Sequence, residues 1–183
     1  MLKRSVIASE ITNLTDARYF AARGVDYLLY DVNQINVNDV MAIMEWVEGV
    51  KSLVLFDEAN IHLIEEAIMR LSPFAIGSSE VSCMDKILRY ANESFVFHLF
   101  PEDGLERPKI VLSHADNVDQ LTFQISPSSE ALAFYEINPS IESLESYLQN
   151  SEAGIILKGS FEVETGVKSY ENMDNLLELL ELD

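Results

Sequence analysis

From Val6 to Phe100 the chain repeats one unit, a short apolar run followed by a segment of helical periodicity. The runs fall at 6–11, 27–32, 52–56, 74–77 and 95–100. Each is apolar along most of its length instead of alternating, which marks strands covered on both faces and therefore a parallel sheet with helices around it. In the first half the unit recurs at a pace of roughly 23 residues, the pace of a β/α barrel. A doubly wound open sheet has the same alternation, so the pattern by itself leaves both architectures standing.

The helical segments carry their own start and stop signals. Asn13 can cap a helix, with Asp16 three residues on, and Gly24 ends it. A helix over 37–47 aligns Val37, Val40, Met41, Met44 and Val47 on one face, and one over 60–71 does the same with Ile61, Ile64, Ala67, Ile68 and Leu71. A further helix covers 83–90. Beyond residue 100 the order blurs. Residues 101–108 read as loop, and 110–117 fit a short helix or a strand. Segments 121–125 and 131–137 both read as strands, yet five residues separate them, whereas a parallel crossover takes about a dozen or more. Either the two form a hairpin, or a helix has been deleted, or one of them is not a strand. The end is regular: a helix over 141–148, a strand over 154–157 and a last helix from 170 to 180.

With 183 residues, 48% of them hydrophobic, the chain can bury one full core, so a single domain over 1–183 is expected. Cys83 is the lone cysteine and cannot form an intramolecular disulfide, which points to a reducing, cytoplasmic setting. No apolar run approaches the length of a membrane span, and no charged-then-apolar leader is present, so neither a span nor a signal peptide is expected. The formal net charge is −19, from 31 acidic and 12 basic residues, and the basic ones are scattered. That excludes a nucleic-acid surface, which needs clustered cations, and it sets the mean field against phosphorylated metabolites. There is no glycine-rich phosphate loop, no Cys/His zinc spacing and no nucleophile elbow. No cofactor is expected, while a small-molecule ligand and a homodimer are compatible with the composition.

Two segments resemble phosphoribosylanthranilate isomerase, a (β/α)8 barrel of tryptophan biosynthesis. Ile11-Thr12-Asn13, Asp16-Ala17 and Gly24-Val25-Asp26 are similar to that family's Gly-x-Thr, Asp-Ala helix and Gly-Ala-Asp. The stretch from Gly159 through Ser160, Gly166 and Lys168 to Ser169 resembles its segment after the eighth strand, which ends Pro-Gly-x-Lys-Asp before the last helix. The resemblance implies a TIM-like (β/α)8 barrel, shortened or irregular around 101–131. It also implies an Amadori rearrangement, in which a general acid opens a ribose ring and a general base takes the neighbouring C–H proton.

The positions that carry that chemistry differ. The family's base is the cysteine of Lys-x-Cys-Gly-x-Thr, and Ser9 stands in its place, followed by Glu10. A thiol can be tuned into a base, but a hydroxyl needs another group to take its proton. No motif links His62, His98 or His114 to Ser9. The acid, an aspartate ending the sixth strand, has its nearest match at Gln124-Ile125-Ser126, which holds none. An arginine expected after the second strand is missing from 31–39, and Ile137-Asn138-Pro139 replaces the glycine pair after the seventh. Gly159 and Ser160 are left to offer backbone N–H groups to a phosphate, with Lys158 beside them.

If the strands run parallel, their C-terminal ends gather Glu10, Asp31, Asp57, Glu58, Glu80 and Glu136 on one rim. Of these, Asp31, Asp57 and Glu136 are the candidates for a divalent cation, although solvated loop acids account for most such clusters at this composition. The expected function is that of a divergent isomerase-like barrel without the usual activity: a binding or regulatory protein, or one acting on another substrate. The rival is an active phosphoribosylanthranilate isomerase with substituted catalytic groups. Ser9 and Glu10 are the residues on which any catalysis would rest.

Overall fold

The computed structural model describes residues 2–56, 61–90, 95–100, 109–114, 131–136, 153–159, 162–164, 167–168 and 170–181. Eight strands close into a barrel in chain order: β1 (Val6–Ser9), β2 (Tyr27–Asp31), β3 (Lys51–Leu55), β4 (Ala75–Ser78), β5 (Phe95–Leu99), β6 (Ile110–His114), β7 (Leu132–Glu136) and β8 (Gly154–Lys158). The helices α1 (Leu14–Ala22), α2 (Val37–Met44), α3 (Ile61–Leu71) and α4 (Val81–Tyr90) follow the first four strands, and α5 (Glu171–Leu180) ends the described chain. The closed order excludes the open sheet.

Local chemistry explains the regular part. Asn13 caps α1: its side chain accepts from the Asp16 amide at 3.0 Å and donates to the Asp16 carboxylate at 2.8 Å. Gly24, at φ +76°, stops the helix, with its amide on the Ala21 carbonyl. Asn36 caps α2 in the same manner through Asp39. Of the apolar stripes read from sequence, Val37, Val40, Ile64, Ala67 and Leu71 are buried and Met41, Met44, Val47 and Ile68 are half-buried against the core, while Ile43, outside the stripe, is buried as well.

The irregular part corrects the sequence reading. β6 is antiparallel to both β5 and β7, while the other adjacent barrel strands pair in parallel. Only residues 100–109 join β5 to β6, too few for a parallel crossover, so the chain turns straight back. Residues 110–114 are therefore a strand, and this strand, not 121–125, is the sixth of the barrel. The segment 121–125 and the helix expected over 141–148 lie outside the described residues. A short hairpin of β9 (Glu162–Glu164) and β10 (Val167–Lys168), unforeseen in the sequence, follows β8.

Two apolar layers hold the barrel. Val6, Ala8, Leu28, Tyr30, Val54, Ile76, Ile155 and Leu157 face outward against the helices. Ile7, Leu29, Leu53, Leu55, Phe97, Ile110, Phe134 and Ile156 fill the interior, as the period of two requires. Glycine makes room for the two interior phenylalanines. A Cβ on Gly154 would lie 2.4 Å from the Phe134 ring, and one on Gly77 would lie 2.2 Å from the Phe97 carbonyl oxygen. The bottom is closed by Tyr27, Phe74, Phe95 and Phe134, with ring centroids 4.8–5.8 Å apart along the series. Among the described residues, no helix is long and apolar enough to cross a membrane.

Candidate functional site

Interior parity selects the residues of the mouth. Ile7, Leu29, Phe134 and Ile156 point inward, so Ser9, Asp31, Glu136 and Lys158, each two residues further along its strand, point the same way at the C-terminal rim. They line a cavity of about 390 Å³. Its floor is apolar, from Leu29, Leu55, Leu99, Ile110 and Ile156, and Glu10, Gln34, Ser79 and Lys109 complete its polar wall.

Lys158 is the centre of the charge arrangement. Its Nζ lies 2.8 Å from Glu136 Oε1 and 3.5 Å from Glu10 Oε1. The hydrogen bond to Glu136 raises the Lys158 pKa above the ordinary lysine value, and the charges of Glu136 and Glu10 add to the shift. Lys158 is thus a protonated cation and not an amine nucleophile at neutral pH. Glu10 lies just past the end of β1 at φ +58°, the left-handed region that glycine favours. The family pattern has glycine at this place. Holding glutamate there costs about 1–2 kcal/mol, and its carboxylate gains the contact with Lys158.

Ser9 is buried, and its hydroxyl donates to the Leu157 carbonyl at 3.3 Å. None of the described carboxylates or imidazoles is hydrogen-bonded to it. Asp31 serves its own loop: its carboxylate accepts from the Asn33 amide at 2.9 Å and from Gln34 Nε2 at 2.9 Å. The amide of Gly159 donates to the Ser9 carbonyl at 2.9 Å. That donor closes the β8–β1 seam in this structure. Ser160, Asp57 and Glu58 lie outside the described residues. Glu80 does not line the cavity; its amide donates to Ser78 Oγ at 3.0 Å. Among the described residues no three His, Cys, Asp or Glu side chains converge as a metal site; Asp31 and Glu136 both line the mouth, while Asp57 lies outside the described residues.

Sequence reasoning missed Lys109. It reaches the mouth because β6 runs backward, which puts the start of that strand at the rim where its end was expected. The available signal was length: 100–109 is too short for a helix crossover.

Beside the mouth, the buried Asp16 ties three segments together. It accepts from Asn13 and from the Tyr170 hydroxyl, and a Cβ on Gly159 would lie 3.5 Å from its Oδ2. The Tyr170 ring stacks on Tyr19 at 3.9 Å, and the Tyr19 hydroxyl donates to Asp174 at 2.7 Å. Burial, then Asp174, raises the Tyr19 pKa well above the usual tyrosine value.

This architecture has solved counterparts. The phosphoribosylanthranilate isomerase of Thermus thermophilus superposes with a TM-score of 0.66 at 19% identity, over 95% of this chain and 96% of that one. The chain has the fold of phosphoribosylanthranilate isomerase. A structure of monomers generated from the dimeric isomerase of Thermotoga maritima matches with a TM-score of 0.57 at 14% identity, over 96% and 97% of the two chains. An isomerase in complex with reduced 1-(o-carboxyphenylamino)-1-deoxyribulose 5-phosphate matches with a TM-score of 0.58 at 15% identity, over the same shares. No protein-family model and no curated protein matches this sequence. At such identities the likeness extends to the fold, and the chemistry must be argued from the mouth itself.

Proposed function

We propose that this chain is a small-molecule-binding barrel of the phosphoribosylanthranilate isomerase type that does not perform the Amadori rearrangement. The observation that carries this reading is the reversal of β6. The general acid of the related enzymes is expected at the C-terminal end of the sixth strand, and here that end, His114, lies at the foot of the barrel opposite Phe95. Lys109 and Ile110 stand in its place at the mouth. The base position adds to the argument, since the Ser9 hydroxyl donates to a backbone carbonyl and, among the described residues, no carboxylate or imidazole accepts from it.

The mouth retains what binding requires: an apolar floor, a polar wall and enough volume for a metabolite. A regulatory or carrier role in the cytoplasm suits these features, and a homodimer, as in the Thermotoga protein, is part of the proposal. The test is complementation of an isomerase-deficient tryptophan auxotroph together with an assay of the purified protein on phosphoribosylanthranilate. No growth and no turnover are expected. Growth that depends on Ser9 or Glu10 would establish the rival reading, an active isomerase with substituted groups.

A further inference from the structure

We infer that the mouth takes an uncharged, hydroxyl-rich small molecule, a free sugar or polyol, and discriminates against the phosphorylated form of the same molecule. The inference rests on the binding-barrel reading above and names the ligand class of that site.

The ammonium of Lys158 and the carboxylates of Glu136 and Glu10 are already paired with one another. Lys158 is held by Glu136 at 2.8 Å and by Glu10 at 3.5 Å, and the Asp31 carboxylate accepts from Asn33 and Gln34. An anion drawn to Lys158 competes for it with Glu136 and Glu10, and an entering cation competes with Lys158 for the same two carboxylates. A hydroxyl group avoids this competition because it donates and accepts at once. It can accept one of the three ammonium donors of Lys158 and donate to a remaining lone pair of Glu136 or Glu10, leaving the ion pair in place.

Three further features agree. The apolar floor suits the C–H face of a sugar, and about 390 Å³ suits a ligand of monosaccharide size. Among the described residues, three carboxylates against two ammonium groups on the wall give a field that opposes a dianionic phosphate. The Gly159 amide, one of the two backbone donors expected to cradle a phosphate, is engaged by the Ser9 carbonyl.

The experiment compares D-ribose with D-ribose 5-phosphate, the same pentose without and with the charged group, by calorimetry and ligand-observed NMR at low ionic strength. D-Ribose is expected to bind at least tenfold tighter than its 5-phosphate. In Glu136→Gln, where Lys158 loses its nearer counter-charge, that ratio is expected to shrink at least fivefold. Glu10→Gln serves as a second variant should the first fail to fold, and its ratio should move in the same direction. Tighter binding of the phosphate, absence of D-ribose binding, or a ratio unmoved in the folded variant would overturn the inference. Turnover of phosphoribosylanthranilate by the same preparation would overturn the parent reading, whereas absence of both turnover and D-ribose binding overturns this inference alone.

Discussion

Lys158 on β8 and Glu136 on the neighbouring β7 form a 2.8 Å ion pair at the mouth of the barrel, with Lys158 about half exposed and Glu136 more enclosed. The pair raises the Lys158 pKa. A raised folded-state value contributes stability that is fully present below the unfolded lysine value, about 10.4, and is lost as pH rises through the folded one. Urea unfolding as a function of pH should therefore show an alkaline loss that is reduced in Glu136→Gln. An unchanged alkaline limb in that variant would contradict the assignment.

Asp16 is expected to be the most sensitive polar position near the mouth. Asp16→Ala removes an acceptor from Asn13 and from Tyr170 in a buried setting. Leaving such donors unsatisfied costs about 1–3 kcal/mol. The loss should appear as a lower urea midpoint and as a weakened near-ultraviolet signal from the stacked Tyr19 and Tyr170. Asp16→Asn should recover part of both.

Gly154→Ala places a methyl group 2.4 Å from the Phe134 ring. Overpacking of this kind costs about 1–3 kcal/mol. Pairing with Phe134→Ala should cost less than the sum of the two single changes, because the added methyl meets the ring, while the Ser5 carbonyl oxygen at 2.8 Å keeps part of the clash. Thermal unfolding of the two single variants and the double variant measures this directly. Equal melting temperatures for Gly154→Ala and the parent would refute the packing account.

His98, on the outer face of β5, has its pKa lowered by burial, and its Nδ1 has no hydrogen-bond partner among the described residues. The folded protein thus binds this proton less readily than the unfolded chain. Stability from a neutral His98 is present above the unfolded value of about 6.5 and is lost as pH falls from there toward the folded value. Denaturation at a series of acidic pH values should show a shallower slope for His98→Phe than for the parent.

Much of the fold was legible in the chain itself. The apolar runs at β1 to β5 and β8, the Asn13 cap and the Gly24 stop are encoded within a few residues, because burial, capping and turn geometry are local properties. Glu10, Asp31 and Glu136 could be placed on the rim from the parallel strand pattern alone. The rim carboxylates could not be read further, since whether a carboxylate stands alone or faces a lysine depends on strands distant in sequence.

The sequence by itself determined the β/α alternation, the resemblance of its two ends to phosphoribosylanthranilate isomerase and the absence of that family's cysteine at Ser9. Tertiary structure alone decided the direction of β6, the arrival of Lys109 at the mouth and the clamp of Glu136 and Glu10 on Lys158. Strand direction follows from whether a connection can cross the sheet, and the identity of a neighbour follows from barrel closure. Closure sets Ser9 beside Lys158, 149 positions later in the chain, and hydrophobic periodicity carries no record of such pairings.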